Sequence, residues 1–314
     1  MSPIRARQLF TRYSGNPILR PEEWPYTVTA AFNPGATTGP EGETILLVRV
    51  EDRTGISHLT VARSADGFTD WKIDPRPTLT RRATQHQEAW GIEDPRITTI
   101  GDEQMIAYTA VSTRGPLVSL ATTADFNSFQ LKSIVSPPED KDAALFPELF
   151  DGRYALIHRP VSSYSYGEAH IWISFSPDLV YWGDHQLLIE SRRTGHWDRE
   201  KVGLGPPPLR TTVGWLLLFH GVTSTAAGAL YRAGLALLDL RDPTVVLART
   251  DEWVFGPEAP YELTGNVPGV VFPTGWIADT NGRIRIYYGA ADTCVGVATA
   301  QIEDLVDFTF THQA

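Results

Sequence analysis

The sequence is short of cysteine and of positive charge, and both shortages exclude classes of protein. Its single cysteine, Cys294, cannot form an internal disulfide bond. The 27 Lys and Arg residues are outnumbered by 37 Asp and Glu residues, which gives a formal net charge of −10. Because neutralising nucleic-acid phosphates requires a basic face, this charge argues against a nucleic-acid-binding protein. Any anion site in this chain must therefore be a local cluster of cations.

Long apolar runs are also absent. No window approaches the roughly 18 consecutive apolar residues of a membrane-spanning helix, and residues 1–24 lack the apolar stretch of a signal peptide. We therefore expect no membrane partner and a cytoplasmic location. The histidines include no His-x-x-x-His spacing that would put two ligands on one element, so we predict no metal and no bound cofactor.

The chain does contain a unit that is repeated five times. Each unit has a β-rich strand, a loop and a second strand that ends near an Asp-containing turn. The first strands are "TILLVRVED" (44–52), "QMIAYTAVS" (104–112), "RYALIHRPVS" (153–162), "GWLLLFHGVT" (214–223) and "RIRIYYGAAD" (283–292). Their partners are "SHLTVARSADGFTDW" (57–71), "PLVSLATTADFNSF" (116–129), "HIWISFSPDLVYW" (170–182), "RAGLALLDLRDPTVV" (232–246) and "VGVATAQIEDLVDF" (295–308).

Strand pairs that recur about every 50–70 residues, rich in branched and aromatic side chains, are typical of a radial β architecture. Helical periodicity is nearly absent, so an α/β fold is not expected. We predict a single all-β domain over residues 1–314, a five-bladed β-propeller with its active site in the central cavity lined by the innermost strands. A β-sandwich or a β-helix is the alternative, and the regular spacing favours the propeller.

The first strand of each unit is apolar until its end, where polar side chains appear. These residues are Arg49, Glu51 and Asp52; Tyr108 and Thr109; His158 and Arg159; His220; and Tyr288 and Asp292. Equivalent strands around an axis bring equivalent positions together, so we expect one polar ring at one mouth of the channel. Lys141 and Lys201, between the units, join Arg159 and His220 as potential cations. Arg and Lys commonly hold phosphate, although each residue alone also fits a solvated or strand-capping role.

The segment "EAWGIEDPRIT" (88–98) places two adjacent carboxylates, Glu93 and Asp94, before a proline and an arginine. It precedes the strand pair of the second unit, so we expect it to enter the propeller from the loop side. Pro95 is expected to hold Asp94 in extended geometry. Two interpretations fit: a rigid turn in which Asp94 caps backbone amides and Arg96 pairs with Glu93, or a catalytic acid.

A single carboxylate that faces several cations has a specific chemical meaning. Inverting cleavage of a glycosidic bond by water needs an acid for the leaving oxygen and a base that activates water on the opposite face. If inorganic phosphate is the nucleophile, the base is unnecessary and a basic pocket takes its place. Asp94 together with the cation cluster is therefore the arrangement expected of an inverting phosphorylase.

Nine segments, taken in order, resemble the motif series of glycoside hydrolase family 130, the family of β-mannoside phosphorylases and a smaller number of β-mannosidases. They are "NPGA" (33–36), "RVEDRTGISHLTVARSADG", "GIEDPRIT", "KDAALFPE", "HRP", "WDREKVGLGPPPL", "GWLLLFHGV", "YRAGLALLDLRDP" and "YYGAAD". The resemblance covers about residues 16–300. It implies a five-bladed propeller and an inverting reaction in which phosphate attacks a β-1,2- or β-1,4-linked mannoside and releases α-mannose 1-phosphate.

The resemblance also implies roles for individual residues. The acid of the "EDPR" motif corresponds to Asp94, which in the family's proposed mechanism passes its proton through a mannose hydroxyl. The implied phosphate ligands are Lys141, Arg159, Lys201, His220 and Tyr231. The implied sugar contacts are Asn33, Asp292, Arg49 and Arg53. We add Glu93 to the candidate substrate contacts as a residue that either orders Arg96 or meets the sugar.

Two other functions stay open at this point. An inverting β-mannosidase would use water, and Glu148, near Lys141 in sequence, is a candidate base; we interpret Glu148 as a structural partner of the lysines. A non-catalytic sugar-binding propeller would have a similar cavity and no turnover. The expected partners are a β-mannoside oligosaccharide and inorganic phosphate as co-substrate, and a homo-oligomer is compatible with the sequence.

Overall fold

Short apolar strands, whose side chains alternate between two faces, form five antiparallel sheets in the described part of the chain. The computed structural model describes residues 8–161, 168–193, 195–226 and 228–313. Each sheet is one blade of a five-bladed β-propeller, so the predicted fold is confirmed.

The strands follow one another blade by blade. In chain order they are β1 (Thr11–Arg12), β2 (Ala30–Thr38), β3 (Thr44–Glu51), β4 (Ser57–Ser64), β5 (Lys72–Ile73), β6 (Ile92–Ile100), β7 (Glu103–Ser112), β8 (Gly115–Thr123), β9 (Gln130–Ile134), β10 (Asp140–Phe150), β11 (Arg153–Pro160), β12 (Ile171–Ser176), β13 (Gly183–Ile189), β14 (Lys201–Leu204), β15 (Leu209–Arg210), β16 (Trp215–Thr225), β17 (Gly228–Leu238), β18 (Val246–Arg249), β19 (Val271–Ala278), β20 (Arg283–Ala290) and β21 (Cys294–Gln301). Blade 1 contains β2–β5, blade 2 β6–β9, blade 3 β10–β13, blade 4 β14–β18 and blade 5 β19–β21.

The innermost strand of each blade was not identified from the sequence. These strands are β2, β6, β10, β14 and β19, and they contact one another around the propeller axis, β19 with β2, β2 with β6, β6 with β10 and β10 with β14. The strand pairs recognised in the sequence are the second and third strands of the blades. The expectation that the "EDPR" segment enters from the loop side is wrong, because Glu93 and Asp94 lie inside β6.

The two ends of the described chain meet in blade 5. Strand β1 pairs antiparallel with β21, with Thr11 opposite Thr299 and Arg12 opposite Ala298. The N-terminal strand thus supplies the outer edge of the last blade, which closes the ring by hydrogen bonds. Closing a ring in this way leaves the propeller with only short, protected edges.

Apolar side chains are buried mainly between neighbouring blades. Five clusters of buried residues occur among the described residues, one at each contact between blades. Between blades 3 and 4, for example, the indole of Trp215 lies edge-on to Phe146 and Phe150, with ring centroids 5.2 and 6.0 Å apart. This packing holds the innermost strands at fixed positions around the axis.

The C-terminal segment is a helix where the sequence predicted a strand. The expected strand 295–308 ends at Gln301, and α2 (Ile302–Thr311) follows. The spacing of Leu305 and Phe308 suits one face of a helix, and both side chains are buried in the cluster of blades 4 and 5. The other described helical segments are short: α1 (Pro260–Leu263) and the 3₁₀ turns Pro21–Glu23 and His86–Glu88. None of the helices in the described ranges has the length and apolar character needed to cross a membrane.

Candidate active site

Three innermost strands carry the same local irregularity, and it aims one side chain of each strand at the axis. Asn33, Asp94 and Asp142 have φ angles of 45°, 50° and 55°. Each lies where the pairing register shifts by a bulge, in β2, β6 and β10. Asn and Asp tolerate the left-handed region better than most residues, and bulges commonly re-aim a side chain beside an active site. The expected extended geometry of Asp94 is therefore wrong.

A central cavity of about 390 Å³ lies where these strands converge. Nine of the eleven predicted site residues line it: Asn33, Arg49, Asp94, Lys141, Arg159, Lys201, His220, Tyr231 and Asp292. They come from all five blades, so residues more than 250 positions apart in the chain share one cavity. Glu93 and Arg53 are outside this lining set and are treated below.

The expected polar ring is only partly formed. Arg49, Arg159, His220 and Asp292 line the cavity, whereas Tyr108, His158 and Tyr288 are buried away from it. Each of these three has its own partner: Tyr108 donates to Glu88 and Tyr288 to Glu262, both at 2.8 Å, and His158 Nδ1 lies 2.7 Å from Asp140 Oδ2. Successive residues of a strand face opposite sides, so a shift of one residue moves a side chain from the axis to a blade contact.

The Asp94 carboxylate is buried and held by two donors. Asn33 Nδ2 and Arg49 Nη1 donate to Asp94 Oδ1 at 2.9 and 3.0 Å. Burial is the largest influence on the pKa of Asp94 and raises it, but Arg49, Arg96 and Lys141 together with the Asn33 bond outweigh it and hold the pKa below its ordinary value. The carboxyl group is thus ionised at neutral pH when the cavity holds no other anion.

The Glu93 carboxylate pairs with Arg49, the same arginine that contacts Asp94. Arg49 Nη2 lies 2.9 Å from Glu93 Oε1, so Arg49 bridges both acids of the motif. The expectation that Glu93 orders Arg96 is wrong, because Arg96 Nη1 donates to the backbone carbonyl of Asp94 at 3.0 Å. Burial, opposed by Arg49, raises the pKa of Glu93.

Asp142, which sequence reasoning missed, is the centre of a buried ion cluster. Its Oδ2 accepts from Arg159 Nε at 2.7 Å, and its Oδ1 lies 3.4 Å from Arg96 Nη2. Arg96 also donates to the carbonyls of Leu204 and Gly205 at 2.9 and 2.8 Å, which ties blade 2 to blade 4. Burial raises the pKa of Asp142, but the surrounding cations overcome it and hold the pKa well below its usual range.

The sequence contained a signal for Asp142. The bulged residues begin the segments "NPGA" (33–36), "DPRI" (94–97) and "DAAL" (142–145), so the same Asx position recurs in three innermost strands. Searching for a repeat of single polar residues, instead of apolar runs, would have aligned these strands.

Lys141 and Lys201 supply charges that form no ion pair in the described part of the chain. Lys141 in β10 lies opposite Arg159 in β11 in the strand register, so the two residues are neighbours in blade 3. Neither lysine ammonium makes a hydrogen bond or an ion pair with the residues that the structure describes. Tyr231 lies across from Val222 at the end of blade 4 and adds a hydroxyl to the same cavity. A bound anion would complete the pairing of these groups.

His220 is neutral and is not the cation that the sequence indicated. Burial is the main cause that lowers the pKa of His220 to about 3, and the nearby Arg159 and Arg96 lower it further against the pull of Asp142. Its Nε2 lies 3.5 Å from Asp142 Oδ2, and its Nδ1 is buried with no partner in the described ranges. The ring packs against Phe272 at 4.6 Å between centroids.

Asp292 and Arg53 mark the side of the cavity that opens toward blade 1. Burial, reinforced by the charge of Asp94, raises the pKa of Asp292 to about 6. The Asp292 carboxylate has no hydrogen bond to the described residues, so it is available to a ligand. Arg53 does not reach the cavity; it lines a neighbouring depression that shares Arg49 and Asp292 with it.

Glu148 lies far from this chemistry. Its carboxylate pairs with Arg210 Nε at 2.9 Å and is about half exposed. It lies seven positions after Lys141, roughly 20 Å along β10. The interpretation of Glu148 as a partner of the lysines is therefore wrong, and it cannot act as a base in this cavity. No group of three His, Cys, Asp or Glu residues suited to a metal ion occurs in the ranges that the structure describes.

The fold and the cavity define a class: a five-bladed propeller whose central cavity sets the buried carboxylate of Asp94 beside several cations, the arrangement of a glycoside-cleaving enzyme. A model of glycoside hydrolase family 130, described as beta-1,4-mannooligosaccharide phosphorylase, matches residues 6–311. The chain belongs to glycoside hydrolase family 130 and is a mannoside phosphorylase, as the resemblance implied.

Individual relatives agree with this assignment. The chain is 32% identical over 319 residues to the beta-1,4-mannooligosaccharide phosphorylase of Ruminococcus albus, covering 99% of this chain and 94% of that protein. It is 40% identical over 253 residues to a beta-1,2-mannobiose phosphorylase of Listeria innocua, covering 81% and 69%. A solved structure of beta-1,2-mannobiose phosphorylase from Listeria innocua, in complex with beta-1,2-mannobiose, has a TM-score of 0.88 at 32% identity and covers 96% of this chain and 99% of that chain.

Proposed function

We propose that the protein is an inverting phosphorylase that cleaves a short β-linked mannoside with inorganic phosphate and yields α-mannose 1-phosphate. The observation that carries this proposal is the charge arrangement of the central cavity. Lys141 and Lys201 form no ion pair with the described residues, and they share the cavity with the buried carboxylate of Asp94. The buried carboxylate of Asp142, in the same cavity, is already paired with Arg96 and Arg159. A phosphate dianion supplies the charge that these lysines lack.

Phosphate is assigned to the wall formed by Lys141, Arg159, Lys201, His220 and Tyr231. Asp142 fixes Arg159 through Nε, so the guanidinium reaches the ligand from a preset position. A phosphate oxygen attacks the anomeric carbon as the bond to the bridging oxygen breaks on the opposite face. A β-mannoside therefore gives the α-phosphate, with inversion.

Asp94 is assigned as the source of the proton that the leaving oxygen takes up, relayed through a mannose hydroxyl. An acid must carry that proton before the reaction, whereas the cations of the cavity without phosphate hold the pKa of Asp94 low. A bound dianion offsets the charge of Lys141, one of those cations, and so raises the pKa of Asp94 toward the working range. Phosphate thus both attacks and prepares the acid.

The mannose unit is assigned to the opposite wall. Asn33 and Arg49 already contact Asp94, and Asp292 presents a carboxylate that makes no hydrogen bond to the described residues. These groups suit the hydroxyls of one pyranose ring. The two named relatives act on β-1,4- and β-1,2-linked substrates, so the proposal includes both linkages to mannose or another sugar.

The test is product analysis with β-1,2- and β-1,4-mannobiose, with and without inorganic phosphate, followed by ³¹P NMR. We expect α-mannose 1-phosphate from one or both linkages, and no cleavage without phosphate. Mannose released at the same rate without phosphate would replace this proposal by an inverting β-mannosidase, which would need a base other than Glu148.

The acid is tested by Asp94→Asn, which keeps the acceptor for Asn33 and removes the proton donor. We expect turnover to fall roughly 10²- to 10⁴-fold while the affinity for mannobiose stays within a few-fold. The exposed Asp184, in blade 3, provides the control Asp184→Asn with normal turnover. A non-catalytic sugar-binding propeller would show binding and no turnover in the unmutated protein.

A further inference from the structure

A second concave surface adjoins the central cavity. This blade-3 groove, of about 540 Å³, runs along blade 3 beside the segment that precedes β10. Glu139 and Val161 line both the groove and the central cavity, so the two are continuous at the rim. The roles assigned above leave this groove unused.

The lining of the blade-3 groove combines aromatic faces with hydrogen-bond donors. Trp172 and Trp182 are half-buried and line it. The Nε1–H of Trp182 is buried and has no hydrogen-bond partner among the residues that the structure describes. His170 accepts the backbone N–H of Ser191 at its Nδ1 at 3.0 Å, so its Nε2 carries the ring proton of the neutral form. Apolar surface with a few convergent donors is typical of sites for small polar ligands that have apolar faces.

A chain of hydrogen bonds holds the outer wall of the groove in place. His185, which lines the groove, places its Nδ1 2.6 Å from Ser174 Oγ, and the same hydroxyl lies 2.6 Å from His158 Nε2. His158 Nδ1 in turn contacts Asp140, a residue of the central cavity, at 2.7 Å. A wall held by a continuous chain of hydrogen bonds loses little conformational freedom when a ligand binds.

The central cavity is too small for a whole oligosaccharide. Its volume of about 390 Å³ is near the lower end of the roughly 300–1,000 Å³ of ligand pockets, and the proposed function places both a mannose unit and a phosphate ion in it. The phosphate wall and the mannose wall are both buried, for example Arg159 at 8% and Asn33 at 4% exposure. The leaving sugar therefore points to the rim, where Glu139 is exposed and the blade-3 groove begins.

We propose that the blade-3 groove binds the sugar units of a β-mannooligosaccharide on the leaving-group side, with Trp172 as a stacking platform. The proposal rests on the proposed function, since it assumes that a mannoside is cleaved in the central cavity. It makes the protein selective for chain length: substrates of three or more units use the groove, and a disaccharide does not fill it.

The experiment compares kcat/KM for mannobiose and mannotetraose of the same linkage at saturating phosphate. We expect the intact protein to favour mannotetraose, and Trp172→Ala to lower kcat/KM for mannotetraose about tenfold while mannobiose changes less than twofold. His170→Ala, which removes a donor without opening the core, should give a smaller loss with the same selectivity. Tyr181→Ala, an exposed aromatic residue outside the groove lining, is the control and should change neither value.

Equal losses for both substrates in Trp172→Ala and His170→Ala, or no preference of the intact protein for the longer substrate, would overturn the groove proposal. If neither substrate is cleaved with phosphate, the proposed function fails. The groove proposal is then tested by measuring the affinities for mannobiose and mannotetraose by calorimetry. Mannotetraose that binds more tightly than mannobiose, and loses this advantage in Trp172→Ala, then supports the groove. Equal affinities in both proteins overturn it.

Discussion

Replacing Asp142 by Asn tests whether the buried ion cluster holds the propeller together. The change keeps the size of the side chain but removes its charge, so Arg96 and Arg159 lose the carboxylate that neutralises them. Arg159 Nε is 2.7 Å and Arg96 Nη2 is 3.4 Å from the carboxylate oxygens. Arg96 is 1% exposed and lies outside the cavity lining, so water cannot replace its lost partner, whereas Arg159 faces the central cavity.

The expected cost follows from this burial. Removing one partner of a buried ion pair typically destabilises a protein by about 3–5 kcal/mol. Because two guanidinium groups contact Asp142, a loss in the upper part of that range is expected. The amide oxygen of Asn still accepts one hydrogen bond, and this reduces the loss. We expect the free energy of unfolding to fall by about 3–5 kcal/mol.

The assay is urea unfolding followed by tryptophan fluorescence between pH 4 and pH 8. The matched control is Asp184→Asn, which removes an exposed pair with Arg153 of similar length, 3.0 Å, and should cost about 0–1 kcal/mol. Because the pKa of Asp142 is lower in the folded protein than in the unfolded chain, its stabilisation is present at neutral pH and is lost as the pH falls through the folded pKa. A loss equal to that of the control, or one that grows on acidification, would refute the reasoning.

Three further outcomes are expected. Lys201→Met should raise the KM for phosphate at least about tenfold with a smaller effect on the KM for mannobiose, whereas Lys72→Met, an exposed lysine of blade 1, should change neither; equal effects on both substrates would contradict the phosphate assignment. The pKa of His220, about 3, keeps its ring neutral between pH 5 and pH 8. The plot of phosphate affinity against pH should therefore have the same shape in His220→Gln as in the unmutated protein, and a changed shape would contradict a neutral ring. Asp292→Asn should stabilise the protein against heat above pH 6 and not at pH 4, because the pKa of Asp292 of about 6 is raised on folding and ionisation above it destabilises the folded state; scanning fluorimetry that shows the same gain at both pH values would disprove this.

The apolar repeat alone predicted the propeller, because the second and third strands of each blade are buried on both faces and read as continuous apolar runs. The apolar pattern did not identify the innermost strands. Residues such as Asn33, Asp94 and Asp142 interrupt their apolar character because the strand faces a polar cavity. The final helix was missed for a different reason: it begins at Ile302, directly after the last residue of β21, so its apolar residues were counted with that strand.

The sequence by itself determined the five-fold architecture and, through its motifs, most of the residues of the central cavity. Only the tertiary structure decided how these residues are paired. Glu93 serves Arg49 and not Arg96, Asp142 anchors Arg159, and His220 is neutral. Pairing and protonation depend on distances and on burial among residues from different blades. A linear sequence does not contain those distances until the ring closes.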